Sequence, residues 1–306
     1  MQYTGKYLIT FFLLLAGLKG IAQTDKVAGC RRCLVMAEQS QHRIAIADVS
    51  AGKIIWEWNP ATAADVKPEH VKWFSHPSEA KMVYGCRYVL MAASGGGVAL
   101  VRIADKKTVF YAYAGGNTHS AELLPDGNIV SASSTGNFLM LFRADTSGTI
   151  VNGYTKKIPI AFGHNVVWDA RRSRLWTAAM DSMHVFRYNN NLQQPDLFQD
   201  TVMALPGTEA HDLFPVFGAD KLWLTNATHV YRFDPVTGKT LPAKGLQNDI
   251  KSVSSGPAGF PVIVIRPKVS WWTDEVLDAN GKSIFREEGL KIYKARWVLT
   301  DTFSER

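Results

Sequence analysis

The chain has 306 residues, 46% of them hydrophobic and 20% charged, with a formal net charge of +7. That is enough apolar material for the core of one large domain or two ordinary ones, and it excludes a disordered or collagen-like chain. The basicity is mild and contains no run of basic residues interleaved with aromatics, which excludes nucleic acid as the expected partner.

The chain opens on "MQYTGKYLITFFLLLAGLKGIA". Lys6, the apolar run from Tyr7 to Leu18, and Gly20 and Ala22 ahead of a cleavage point predict a secretory signal peptide over residues 1–22. The run is too short for an ordinary spanning helix, and no later segment reaches the ~20 apolar residues that a span needs. An exported protein, periplasmic or secreted, with no transmembrane segment is therefore expected. Losing Lys6 and Lys19 leaves 32 basic residues against 27 acidic ones, a net charge of +5.

Three cysteines follow, Cys30, Cys33 and Cys86. In an oxidising compartment "CRRC" closes on itself or one of its members reaches Cys86, and either pairing leaves one free thiol. One CxxC lacks the second ligand pair of a zinc site. "VAGC", ending at Cys30, has the look of a lipoprotein cleavage box, but Lys19, Asp25 and Lys26 separate it from the apolar run. A lipid anchor follows only if Cys30 is lipidated.

From Leu34 onward the sequence repeats itself. Two short strands around a polar turn recur as "LVMAEQSQHRIAIADVSAGK" from Leu34, "YVLMAASGGGVALVRIADKK" from Tyr88 and "NIVSASSTGNFLMLFRADTSG" from Asn128. They return as "RLWTAAMDSMHVFRYNNN" from Arg174, "KLWLTNATHVYRFDPVTGK" from Lys221 and "PVIVIRPKVSWWTDEVLDANGK" from Pro261. β-Branched and aromatic residues fill the strands, and Asp, Gly and Asn stand where the chain must turn. Outer strands are expected at 53–59, 108–114 and 282–288. Four strands per unit at a period of about 45 residues is the arithmetic of a propeller blade. The first unit lacks an inner strand, and the orphan segment "IYKARWVL" (292–299) is placed to supply it, which removes an exposed sheet edge. The expected fold is all-β: a single six-bladed β-propeller over residues 23–306, with its first blade closed by the C-terminal strand.

Aligning the units shows what meets at the axis. His119 precedes its second strand by nine residues, and His164 and His211 precede theirs by ten, so the three histidines share one repeat position. The same alignment selects Glu79, Lys251 and Lys294 in the other units, and the ends of the second strands add Glu38, Gln39, Ser94, Ser134, Asp181, Asn226 and Arg266. Imidazoles and a carboxylate suit a divalent metal, zinc or manganese, held by His119, His164, His211 and Glu79. The same histidines suit acid–base catalysis. Lys251, Lys294 and Arg266, with Gln39 at the rim, suit a uronate, sulfate or phosphate group. A polar ring that only binds water is the structural alternative, and recurrence at one position favours function. His42, His184 and His229 read as turn residues, and Trp56, Trp58, Trp271 and Trp272 as packing between blades.

This repeat resembles the exported bacterial six-bladed propellers of the WD40-like superfamily. "HSAELLPDGNIVSASS" is similar to a blade of the bacterial arylsulfotransferases, which are longer and carry a further N-terminal β-domain. That similarity implies a nucleophile or oxyanion partner among His119, His164 and His211. The histidine wheel also looks like that of oligogalacturonate lyase, a seven-bladed propeller that binds manganese through histidines. Two functions follow: a small anionic molecule or glycan fragment bound in the axial pocket, with lyase or transferase chemistry open, or a scaffold whose faces bind a protein partner. Charged residues at the channel positions favour the pocket, in a chain expected to be a monomer.

Overall fold

The computed structural model describes residues 27, 29–144 and 153–305; the signal peptide expected over residues 1–22 lies outside them. Among the described residues, 24 strands form six four-stranded antiparallel sheets arranged as the blades of a propeller, and one 3-10 turn, Pro68–Phe74, joins the first two. Blade 1 is built from Cys33–Glu38, Arg43–Asp48 and Lys53–Trp58, with Ile292–Trp297 on its inner edge. The C-terminal strand pairs antiparallel with the first, Leu34 opposite Trp297 and Ala37 opposite Lys294, as the orphan segment required. The other inner strands are Pro77–Val83, Thr118–Leu123, Val167–Asp169, Asp212–Pro215 and Ser252–Ser254 in blades 2 to 6.

The inner strands are buried along nearly their whole length because neighbouring blades cover both faces, so they read as continuous runs rather than alternating ones. The outermost strand Leu197–Ala204, with one face open, is mostly exposed. Bulky side chains join the blades all the way round. The Trp56 indole donates to Ile103 O at 3.0 Å between blades 1 and 2, and Ser78 Oγ donates to Thr118 O at 2.7 Å between blades 2 and 3. Asn128 Nδ2 reaches Tyr188 Oη at 2.9 Å, and Trp176 meets Phe233 edge-on at 5.3 Å. Trp223 Nε1 donates to Ser255 Oγ and Trp297 Nε1 to Pro261 O, which returns the circle to blade 1. The indoles of Trp56, Trp176, Trp223 and Trp297 each satisfy their one polar atom while contributing about 1.5–3 kcal/mol or more of apolar burial. Trp56 and Trp58 are thus packing residues, as expected.

Cys30 and Cys33 are joined by a disulfide at the entry to blade 1, and Cys86 is a free, half-buried thiol.

Candidate functional site: the axial channel and its histidine mouth

Each inner strand begins with a local irregularity. In blade 2, Pro77 faces Ala93 and Glu79 faces Ala92, leaving Ser78 as an extra residue. Blade 3 does the same at His119, between Thr118 and Ser120, and blade 1 at Tyr293, between Ile292 and Lys294. In blades 5 and 6, His211 N donates to Thr225 O beside the Asp212–Thr225 pair, and Lys251 N to Ile265 O beside the Ser252–Ile265 pair. A bulge of this kind re-aims one side chain out of the sheet. The residues before it have left-handed φ: 54° at His76, 56° at Asn117, 55° at Phe162, 58° at Glu209 and 60° at Asp249. The mouth of the channel is therefore ringed by Ser78, His119, His164, His211, Lys251 and Tyr293.

The three histidines stand side by side. Ring centroids are 4.4 Å apart for His119 and His164 and 4.8 Å for His164 and His211, and the Tyr293 ring meets His119 at 5.8 Å. His119 Nδ1 bonds to Asn117 O at 2.9 Å, with Ser134 Oγ at 3.2 Å, and His164 Nδ1 approaches Phe162 O at 3.4 Å. A proton on Nδ1 makes these bonds to carbonyls, which leaves Nε2 as the lone-pair acceptor on both rings. His211 Nδ1 is buried and has no partner. Burial, which penalises a charged ring, pushes His119 down to about 4 and His211 down to about 3, and Lys251 and Lys294 add to the effect. His164 is lowered too, by burial and by its two histidine neighbours. All three are neutral imidazoles at pH 7.

Glu79 and Lys294 do not belong to this ring. Repeat counting assigned them the histidine position, but the bulge inserts a residue and places both one step deeper. There Lys294 Nζ lies 3.1 Å from Glu79 Oε2 and 3.2 Å from Asp212 Oδ1. Arg296, two residues further along, reaches Asp212 Oδ1 at 2.5 Å and Glu79 Oε1 at 3.2 Å. Lys81 Nζ donates to Glu122 Oε2 at 2.9 Å and to Val166 O at 2.6 Å. Lys294 and Arg296 are only 2% and 1% exposed, and at the closed axis their two charges balance those of Glu79 and Asp212. Burial alone would raise the Glu79 and Asp212 carboxyls, but Arg296 and Lys294 outweigh it and hold both below the ordinary range. Burial wins at Glu122, which is pushed up to about 7 against the pull of Lys81.

Glu79 therefore does not complete a coordination sphere with the histidines, and Lys294 is neutralised before any ligand arrives. Among the described residues, no group of three His, Cys, Asp or Glu side chains is arranged to hold a metal ion. Arg266 is exposed and donates to Gln247 Oε1 at 2.5 Å, away from the axial network's hydrogen bonds. Gln39 is buried at the rim, donating to Pro77 O at 3.0 Å and accepting from Trp271 Nε1 at 3.0 Å. Of the other rim residues, Glu38 accepts from Ser40 N and Arg43 Nε, Asn226 closes its own turn onto Thr228 and His229, and Asp181 is exposed. Ser94 N bonds to His76 O.

Sequence reasoning missed Ser78 and Tyr293 at the mouth, and Arg296, Asp212, Lys81 and Glu122 below it. The signal was present as Lys and Arg two apart inside "IYKARW" and as acidic residues in "SEAKM" and "SAEL", charges in otherwise buried strands. It also missed a cavity of about 500 Å³ at the opposite end of the channel, walled by Trp168, Phe214 and Trp297 and bordered by Lys81 and Glu122.

Among solved structures, a protein of unknown function from Bacteroides caccae superposes with a TM-score of 0.57 at 12% identity, covering 87% of this chain and 98% of that one. Kuenenia stuttgartiensis hydrazine synthase matches at a TM-score of 0.47 and 11% identity over 68% of this chain and 64% of that one. The dihydro-heme d1 dehydrogenase NirN matches at 0.47 and 17% identity over 82% of this chain and 52% of that one. The chain thus spans less than two thirds of either enzyme's length, and at these identities the likeness is one of fold. No curated protein matches. Residues 19–306 match the family described as a family of unknown function, DUF6528, and the chain belongs to that family.

Proposed function

We propose that this protein binds a small hydroxylated anion, of the uronic-acid kind, in the histidine mouth of the propeller. One observation carries the reading: three neutral imidazoles, His119 and His164 buried and His211 half-buried, and one lysine occupy equivalent bulge positions around a single axial opening. Neutral Nε2 atoms accept hydrogen bonds from ligand hydroxyls. Lys251 is the cation of the ring, half-buried and joined to no carboxylate by an ion pair among the described residues, and it is placed to meet a carboxylate or sulfate. Rings whose protons leave near pH 4 and 3 are weak bases at pH 7, which favours binding over acid–base catalysis. The leader-like first 22 residues and the Cys30–Cys33 disulfide support an oxidising compartment outside the cytoplasm. On this reading Cys30 is held by Cys33 rather than lipidated.

Calorimetry with glucuronate and galacturonate against glucose and galactose tests the reading. A uronate should bind at least about tenfold more tightly than its neutral sugar, a difference of about 1.4 kcal/mol. Lys251→Met should abolish that preference, and His164→Ala should weaken binding of acid and neutral sugar together. Equal affinity for acid and neutral sugar, or variants that bind as the parent does, would overturn it.

A further inference from the structure

The mouth face carries one loop that the fold does not need. The turn between the second and third strands lies on this face in every blade, and in blades 1 to 5 it spans two to four residues: 39–42, 94–96, 134–137, 180–181 and 226–229. In blade 6 it spans residues 266–274. This longer loop is a built structure. Val269 and Trp272 bridge across its tip, Ser270 turns the chain at a φ of 52°, and Thr273 pairs with Ile292. Lys268 Nζ clamps its base onto Asp274 Oδ1 at 2.8 Å and Glu275 Oε1 at 2.7 Å.

The loop holds Trp271 in water. Its side chain is 49% exposed, although the sequence placed it among the packing residues. The indole N–H donates to Gln39 Oε1, and Gln39 in turn donates to Pro77 O, next to Ser78 of the mouth ring. Beside it, Lys291 Nζ lies 5.1 Å from the Trp272 ring centre, two residues before Tyr293 of the same ring. His42 and His76 meet edge to face at 5.3 Å, and burial, then His76, lower the His42 ring below its ordinary value. Together these residues line a groove of about 220 Å³. A tryptophan fixed by hydrogen bond at a rim contributes little to folding while exposed, but it offers a flat apolar face to a sugar ring with polar groups around its edge.

We propose that this groove is a second carbohydrate subsite, beside the mouth through the Gln39 bond to Pro77 O, so that the ligand is an acidic oligosaccharide rather than a single sugar. Trp271 stacks on the second residue of the chain, Lys291 meets its acidic group, and His42, His76 and Gln39 face its hydroxyls. The proposal rests on the uronate reading of the mouth.

Its test compares glucuronate, galacturonate and mannuronate with trisaccharides of the same uronates, measured by calorimetry on the full mature chain. The expected result is a trisaccharide bound at least about tenfold more tightly than its monomer, with Trp271→Ala removing most of that advantage and Trp271→Phe keeping part of it. Lys291→Met should lower trisaccharide affinity and its dependence on salt. Unchanged thermal unfolding of these surface variants keeps the comparison clean. If monomer and trisaccharide bind alike, or Trp271→Ala binds the trisaccharide as the parent does, the subsite is overturned while the mouth reading stands. If no uronate of either length binds, the mouth reading falls and the subsite with it.

Discussion

At the scale of single residues, the axial charges and the histidines make opposite demands on stability. Arg296 lies between Asp212 and Glu79 with 1% exposure, and its guanidinium also sits 4.1 Å from the Phe214 ring centre. Arg296→Met leaves two buried carboxylates sharing Lys294 as their remaining ion-pair partner, and breaking a buried pair in this way costs about 3–5 kcal/mol. Urea unfolding should show that loss, and an Arg296→Met variant as stable as the parent would contradict the network. The histidines act through pH. Their folded values lie far below the 6.5 of a free imidazole, at about 4 for His119 and about 3 for His211. As pH falls below 6.5 the unfolded chain takes protons that the folded one refuses. Stability is therefore full above that value and is lost as pH drops from 6.5 towards 4 and 3, on the order of 1–2 kcal/mol per ring by pH 5. Denaturation midpoints at pH 7 and pH 5 measure it. Replacing His119 by Gln, which never titrates, should flatten the dependence by about one ring's share.

Elements carry this chemistry because of where the chain begins and ends its blades. The strand Ile292–Trp297 closes blade 1 and also delivers Tyr293 to the mouth and Lys294 and Arg296 to the axis. A chain ending at Leu290 should therefore lose more than a row of strand hydrogen bonds, since Glu79 and Asp212 would be buried with no cation from blade 1. It should fail to fold, as judged by circular dichroism and protease resistance; a stable truncated chain would contradict the closure. The bulges show how a small irregularity decides a site. They were invisible to repeat counting because one extra residue at the mouth shifts register without altering strand composition. The histidine positions were legible since all three sit on the bulge itself, whereas Glu79 and Lys294 were assigned one residue wrongly.

For the whole molecule, the ring is held by indole contacts between blades and by one disulfide at its entry. The oxidised protein should titrate as one free thiol per chain, Cys86, whose value is raised chiefly by burial, so it should react slowly until the protein is unfolded. Finding three free thiols, or none, would contradict the Cys30–Cys33 pairing. The proposed export predicts that mass measurement of the protein made in its host places its first residue at Gln23.

The sequence by itself determined the all-β class, the number of blades and the closure of blade 1, because these follow from a repeated pattern of turn residues and apolar runs and from one missing strand at the N-terminus. It also singled out His119, His164 and His211, because equal spacing in equal units means equal position. Tertiary structure alone decided which charges are free. Lys251 is available at the mouth and Lys294 is not, because residues 215 positions apart, Glu79 and Lys294, become ion-pair partners only when the ring closes. It likewise decided that Trp271 faces water and Trp56 does not. Both stand in strand-like, aromatic-rich text, and only the course of the loop 266–274 over the rim separates a surface indole from a buried one.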